Sequence, residues 1–193
     1  MTGQSEVRAQ ALGAALRLFW QHGADQVSYG DLVAATGLSR KALYGYWPDK
    51  AALVRETLRL YRQTVLAAAL ARLAPPGADA LRGFWTDTEA AAQAPGWNGC
   101  YLVRSAGGEL RHDTAVRALF DAWLAALNQA LIDAILAAIR DLPRSRVLDA
   151  GAAAWQAVSL VTLASSLGGQ RGYDARVAEI FRAGRLACGL PPA

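Results

Sequence analysis

Apolar residues recur at helical spacing from the beginning of the chain. The first run has apolar positions at i, i+3, i+4 and i+7 and comprises Leu12, Ala15, Leu16 and Phe19. The pattern stops at His22-Gly23, and glycine commonly follows the last turn of a helix. It therefore predicts an amphipathic helix that ends near residue 22.

A short helix comes next, and residues that stabilise a helix start precede it. Ser28 is a candidate N-cap, and Asp31 occupies the acidic capping-box position three residues later. Val27 and Leu32 stand at the two hydrophobic-staple positions around that cap. Gly37 follows the last helical residue and tolerates the left-handed conformation of a C-cap.

A second short helix, RKALYGYW, begins directly after this turn. Ser39 is its candidate N-cap, and Leu38 and Leu43 again occupy staple positions. Pro48 stops the helix, and Asp49 can cap the one that follows. Two short helices with fixed starts and a tight turn between them predict a helix-turn-helix, a motif that docks a helix in a DNA groove.

The rest of the chain is also helical in pattern. A long helix has one apolar face, formed by Leu53, Thr57, Leu58, Tyr61, Val65, Leu66, Ala69 and Leu73. It ends at Pro75-Pro76-Gly77. Further helices are predicted at about 79–93, 98–106, 113–141, 147–168 and 174–188, separated by Ala94-Pro95-Gly96, Gly107-Gly108, Pro143 and Gly168-Gly169. No stretch alternates convincingly with period two, so the predicted fold class is all-α with about nine helices.

Composition supports a soluble, folded, mildly basic protein. Of 193 residues 53% are hydrophobic, enough to bury a core, and the net charge of +4 permits contact with nucleic acid without establishing it. The polar start MTGQSEVRAQ does not resemble a signal peptide. The uncharged segment 150–170 approaches the length of a membrane span, but it is rich in alanine, serine, glycine and threonine. We expect a helix buried in a soluble assembly and a cytoplasmic protein that does not contact a membrane.

Residues 12–53 resemble the TetR family of transcriptional regulators. The sequence is LGAALRLFWQHGADQVSYGDLVAATGLSRKALYGYWPDKAAL. The matching positions, in the family's order and without a gap, are Phe19-Trp20, Gly23, Ser28, Gly37-Leu38-Ser39, Leu43-Tyr44, Trp47 and Lys50. Two positions depart from the family: Gly45 replaces a side chain that usually reaches DNA, and Val27 replaces the commoner threonine. Beyond residue 75 the resemblance is looser and includes GCYLVRSAGGEL, which is similar to a sixth helix and the turn after it.

The resemblance implies that three segments of the chain have different functions. It assigns residues 1–48 to a helix-turn-helix DNA-binding domain, helix four (49–74) to a connection, and residues 75–193 to ligand binding and dimerisation. It also implies a homodimeric repressor that leaves a palindromic double-stranded DNA operator when a small apolar effector binds. An activator on the same fold stays open, as does a helical ligand-binding protein or enzyme without operator function.

The predicted DNA contacts cluster on and around helix three. Arg40 and Lys41 lie in its first turn, where a recognition helix reads base edges, and arginine can bind guanine O6 and N7 together. Lys50 adds a charge to a helix N-terminus that already favours phosphate. The full predicted set is Ser28, Tyr29, Ser39, Arg40, Lys41, Tyr44, Gly45, Tyr46 and Lys50. Trp47 and Leu43 are assigned to the core, and a merely solvated basic face is the alternative for the charged residues.

Aromatic residues on several helices of the second domain suggest a ligand pocket. The predicted ligand-binding residues are Trp85, Tyr101, Arg104, Trp123 and Trp155. The alternative is that each tryptophan fills the core or a dimer face. The last two helices are apolar around much of their circumference, so we expect a two-fold dimer through them, disrupted by Val158→Arg or Leu163→Arg.

Other chemistry has little support in the sequence. His22, Cys100, His112 and Cys188 lack the spacing of a zinc site. Phosphate-binding glycine loops, nucleophile elbows and matched carboxylate pairs are absent from the sequence. We therefore expect no catalytic site, metal or cofactor, and whether Cys100 has a sensing role stays open.

Overall fold

The computed structural model describes residues 2–139, 149–170 and 172–191, and within these residues the regular structure is helical. It contains nine helices in the described ranges: α1 (Thr2–His22), α2 (Tyr29–Thr36), α3 (Arg40–Tyr46), α4 (Lys50–Tyr61, a π-helical turn Arg62–Leu66, and Ala67–Ala71), α5 (Ala78–Gln93), α6 (Tyr101–Gly107), α7 (Thr114–Ala138), α8 (Ala150–Leu167) and α9 (Asp174–Ala187). The all-α prediction is confirmed. Pro143 and the predicted ends at 141 and 147 lie outside the described residues.

The start of α2 is fixed by a capping box. The Oγ of Ser28 accepts a hydrogen bond from the backbone N–H of Asp31 at 3.2 Å, and the Asp31 carboxylate accepts one from the N–H of Ser28 at 2.8 Å. At the other end Gly37 adopts φ 71°, a left-handed conformation in which glycine has no Cβ penalty. The capping pattern predicted from the sequence is confirmed.

The starts of α3 and α4 are capped in the same way. The Oγ of Ser39 accepts from the N–H of Ala42 at 3.2 Å, and Oδ1 of Asp49 accepts from the N–H of Ala52 at 2.6 Å. A cap of this kind stabilises a helix by about 1 kcal/mol. For helices as short as α2 and α3, such local bonds decide where the chain enters and leaves each helix.

The helices α1–α3, here called the head, form a small core against the first half of α4. Phe19, Leu32, Leu43 and Trp47 are buried in it. The indole Nε1 of Trp47 donates to the carboxylate of Glu56 on α4. The core assignment of Trp47 and Leu43 is therefore confirmed, and α3 is held with its opposite face toward solvent.

The helices α5–α9, here called the body, pack around an alanine-rich centre. The buried residues on facing sides of α7 and α8 include Leu131, Ala134, Ile135, Ala154, Ala157 and Ala164. Trp85 packs on Gly184 of α9, where an added Cβ would lie only 2.2 Å from the indole ring. Small residues thus let neighbouring helices approach closely and leave room for the large aromatic side chains between them.

The helix α4 belongs to both parts of the molecule. Its N-terminal half packs on α1, and its C-terminal half borders the body. Between them, the π-helical turn Arg62–Leu66 interrupts the α-helical hydrogen-bond pattern. The sequence pattern did not predict this turn, because the apolar spacing continues through it without a break.

Candidate DNA-binding surface and ligand cavity

The outer face of α3 presents the side chains that the sequence assigned to DNA. Arg40, Lys41, Tyr44 and Gly45 are exposed there, while Leu43 points into the core. Tyr46 is half-buried. Because the inward residue is fixed by packing, the orientation of the charged residues on this short helix is fixed as well.

Arg40 stacks with two tyrosines on this face. The rings of Tyr29 and Tyr44 are stacked at 5.0 Å, and the Arg40 guanidinium lies 4.9 Å and 5.8 Å from their centroids. Burial and a hydrogen bond with Tyr44 raise the pKa of Tyr29 to about 12, so its hydroxyl stays protonated at neutral pH. A neutral phenol and a guanidinium are both donors, and phosphate oxygens and guanine edges are acceptors.

The two cap serines differ in what their hydroxyls can still do. The hydroxyl of Ser28 donates to Asp31 at 2.7 Å and also accepts at the cap, so its proton is already used within the chain. The hydroxyl of Ser39 accepts from Ala42 and keeps its own proton. The structure therefore gives Ser39 a donor for a phosphate, whereas Ser28 serves mainly as a helix cap.

Lys50 opens α4, next to the cap residue Asp49. Its positive charge lies close enough to Asp25 and Asp31 to contribute to the lowered pKa of each carboxyl, though hydrogen bonds to Gln26 and Ser28, respectively, are the larger causes. A helix N-terminus with an adjacent ammonium group is a favourable place for a phosphate.

The body contains a cavity of about 320 Å³ among α4, α5, α7, α8 and α9. Aromatic side chains form much of its wall, namely Tyr61, Phe84, Trp97, Trp123 and Phe181. The charged residues Arg72 and Asp87 at its edge pair with each other at 2.6 Å. The cavity is therefore suited to a small, largely apolar molecule that carries no net charge.

A larger recess of about 540 Å³ lies between α5 and α9. Glu89, Asp174 and Arg182 are among its lining residues. Charged walls favour water or ions over an apolar ligand, so the smaller aromatic cavity is the better candidate for an effector.

Of the five residues predicted to bind ligand, Trp123 alone lines the aromatic cavity. Trp85 is fully buried against Gly184, and Trp155 is 52% exposed on the outer face of α8. Tyr101 is buried, with its hydroxyl 3.0 Å from that of Thr57. These three side chains do not line the aromatic cavity, because tertiary packing directs them elsewhere, and a role for them in ligand binding stays a prediction.

Arg104 also lies away from the aromatic cavity. Its guanidinium donates to the backbone carbonyls of Trp20 and Asn98 at 3.2 Å and 2.9 Å. Both bonds come from Nη1 and tie two segments together at a place that does not border the cavity.

The sequence missed several cavity residues. Tyr61 and Leu66 were placed on the buried face of helix four, but periodicity does not distinguish a packed side chain from one that borders a void. Cys100 also lines the cavity. Burial raises the pKa of its side chain, so the sulfur stays protonated at neutral pH and is a weak nucleophile. Among the described residues no group of three histidine, cysteine or carboxylate side chains is arranged to hold a metal.

The capped helix-turn-helix, with its exposed basic recognition helix, defines a DNA-binding protein of the transcriptional-regulator class. Residues 11–57 match the family described as "Bacterial regulatory proteins, tetR family". The match covers most of the head and the first turns of α4, which therefore form a TetR-type DNA-binding domain, as the resemblance found in the sequence implied.

Known proteins are similar to this chain over different lengths, and the solved structure shows the shared fold. The HTH-type transcriptional regulator YezE of Bacillus subtilis is 27% identical over 67% of this chain and 69% of its own. The HTH-type transcriptional repressor ComR of Escherichia coli is 44% identical over 28% of this chain and 26% of its own. The TetR-family regulator CifR, solved with 26-base-pair operator DNA, superposes with a TM-score of 0.74 at 21% identity, covering 95% of this chain and 96% of CifR.

Proposed function

We propose that the protein is a homodimeric repressor that binds a palindromic operator and releases it when a small apolar molecule occupies the aromatic cavity. The observation that carries this proposal is the exposed face of α3, where Arg40, Lys41 and Tyr44 stand on a capped, well-packed recognition helix. Residues 1–48 would bind DNA, helix four (49–74) would connect, and residues 75–193 would bind the effector and dimerise.

The dimer proposal rests on an apolar face at α8 and α9. Trp155, Leu163 and Leu186 are 52%, 48% and 44% exposed there, although large apolar residues are usually buried. A second copy of the same face would cover them in a two-fold interface. Val158, which the sequence suggested as an interface residue, is 2% exposed and faces the core of its own protomer.

Burial in the body, together with the same interface, accounts for the hydropathy of two helices. Thr114–Ala138 and Ala150–Leu167 are each long and apolar enough to cross a membrane. Both have one face in the core of the body, and in the proposed dimer α8 is covered on its other side as well. We therefore propose a cytoplasmic regulator without membrane contact and without enzymatic activity.

Release of DNA follows if the effector prefers one conformation. A homodimer binds two half-sites only when its recognition helices match successive major grooves, one helical turn or a multiple of it apart. An effector that binds more tightly to a conformer with another separation lowers the population that fits the operator. The cavity borders α4, which begins at the head, so its occupant would contact the connecting helix directly.

The test is selection of binding sites from random duplexes, followed by titration against the selected and scrambled duplexes at several salt concentrations. We expect a palindrome, and an affinity for it at least about 10³-fold higher than for scrambled DNA. Arg40→Ala should relax the preference at one base pair in each half-site. If the protein selects no duplex and its binding to DNA shows no dependence on salt, it would instead be a helical ligand-binding protein. The missing side chain at Gly45 favours this alternative.

A further inference from the structure

The residues Trp97–Cys100, here called the junction loop, form the second part of the connection from α5 to α6 and cap the end of α1. The side-chain amide of Asn98 donates to the carbonyl of Trp20 at 3.2 Å and also to the carbonyl of Gln21. In return, the indole Nε1 of Trp20 donates to the carbonyl of Gly99 at 2.8 Å. The last carbonyls of a helix have no partner within it, so the loop satisfies groups that the head leaves open.

The junction loop is fixed just as closely to the end of α8. Gly99 has φ 74°, and a Cβ on it would lie 2.0 Å from the carbonyl oxygen of Ser165. A Cβ on Gly168 would lie 2.3 Å from the nitrogen of Gly99. The N–H of Cys100 donates to the carbonyl of Ser165 at 3.3 Å. The backbone of the junction loop thus crosses the backbone at the end of α8 in direct contact, and only glycine fits at the crossing.

One loop therefore joins the head to α8, a helix of the proposed dimer interface. The covalent connection between the head and the body is α4, and the π-helical turn Arg62–Leu66 lies within it. A single helix leaves the head free to swing about that connection, whereas a second attachment on α1 removes this freedom. Arg104 of α6 supports this attachment, because it donates to the carbonyls of both Trp20 and Asn98. Trp97, Gly99 and Cys100 also line the aromatic cavity, so an effector there would contact the same loop.

We propose that the junction loop sets the orientation of each head relative to the dimer helices, and hence the spacing between half-sites that the dimer accepts. Asn98 is the positioning residue in this arrangement. The inference rests on the proposed function, because it requires a dimer bound to two half-sites. One inserted base pair moves a half-site by about 3.4 Å and rotates it by about 35°, so a rigid dimer discriminates strongly against it.

The experiment compares the wild type with Asn98→Ala, using the selected operator and versions with one base pair added or removed between the half-sites. We expect the wild type to bind the altered spacings about tenfold or more weakly than the selected one. In Asn98→Ala this penalty should fall to about twofold, with the base preference within each half-site unchanged.

The control is Gln170→Ala. Gln170 also donates a side-chain amide hydrogen to a backbone carbonyl, that of Ser166, at 3.1 Å, but its bond only joins the last turn of α8 to the residues directly after it. A loss of stability alone lowers the fraction of active protein and weakens binding to every operator by the same factor. The ratio of the affinities for different half-site spacings therefore reports on the orientation of the heads. If Asn98→Ala does not fold, Trp20→Phe removes the bond to Gly99 while keeping an aromatic ring and should give the same loss of discrimination.

Two outcomes would overturn the inference in distinguishable ways. If the variant keeps the full tenfold penalty, or if Gln170→Ala loses the penalty to the same extent, the junction loop does not set the spacing, although the proposed function stands. If the wild type selects no paired half-sites, the proposed function fails first and this inference with it.

Discussion

Asp113 should stabilise the protein in two separable ways. Its Oδ1 accepts hydrogen bonds from the N–H groups of Ala115 and Val116 at 2.9 Å and 3.1 Å, which caps α7. Its Oδ2 pairs with the guanidinium of Arg55 on α4 at 2.8 Å, with 29% of the arginine and 17% of the aspartate side chain exposed. Replacement by alanine removes both interactions, and replacement by asparagine keeps a good cap while removing the charge.

The expected magnitudes follow from these contacts. The cap contributes about 1 kcal/mol, and a partly exposed ion pair contributes up to about 1 kcal/mol. Asp113→Ala should therefore lower the free energy of unfolding by about 2 kcal/mol, which corresponds to a decrease in Tm of about 4–8 °C for a chain of this length. Asp113→Asn should cost half of that or less.

The ionic part should vanish in acid. Hydrogen bonding by the backbone of Val116, followed by the side-chain bond from Arg55, holds the pKa of Asp113 below its usual value near 3.8. A lowered folded-state pKa gives stability that is complete above the unfolded-state pKa and is lost as the pH falls through the folded-state value. The difference between wild type and Asp113→Asn should thus be constant above about pH 5 and disappear below the folded-state pKa.

Urea unfolding at one fixed protomer concentration, followed by circular dichroism, measures these differences. Asp121→Asn is the matched control, because Asp121 is exposed on the same helix. The argument is refuted if Asp113→Asn destabilises the protein as much as Asp113→Ala at neutral pH. It is also refuted if the deficit of Asp113→Asn persists unchanged in acid.

Further predictions concern DNA, assembly and the cavity. Lys50→Ala should weaken binding to operator and random DNA alike and remove about two units of slope from log K against log salt, one phosphate contact from each protomer. A loss of sequence preference in that variant would contradict the phosphate assignment. Leu163→Arg should sediment as a folded monomer, whereas Val158→Arg should lose its fold, because Val158 faces the protomer core. A dimeric Leu163→Arg protein would refute the interface. A neutral aromatic such as 1-naphthol should raise Tm and quench the fluorescence of Trp97 and Trp123, which both line the cavity. Unchanged quenching after both are replaced by phenylalanine would place the ligand elsewhere.

Sequence alone determined the head to the level of single residues. The bonds that begin α2, α3 and α4 join residues three apart, Ser28 with Asp31, Ser39 with Ala42 and Asp49 with Ala52. Such interactions depend on local chain geometry and not on the rest of the fold, so residue type and spacing were sufficient to predict them. The inward positions of Leu43 and Trp47 followed equally from helical periodicity.

The tertiary structure alone decided what the buried residues of the body touch. Helical periodicity identifies a buried face, but it does not name the residue on the other side. Trp85 fills the space above Gly184, and Trp155 lies on the outer face of α8, although both are tryptophans on apolar helices. A cavity exists where the summed volumes of many side chains fail to fill the space between helices, and that sum depends on the complete packing. The crossing of Gly99 and Gly168 is of the same kind, because the need for glycine at each arises from the backbone of the other.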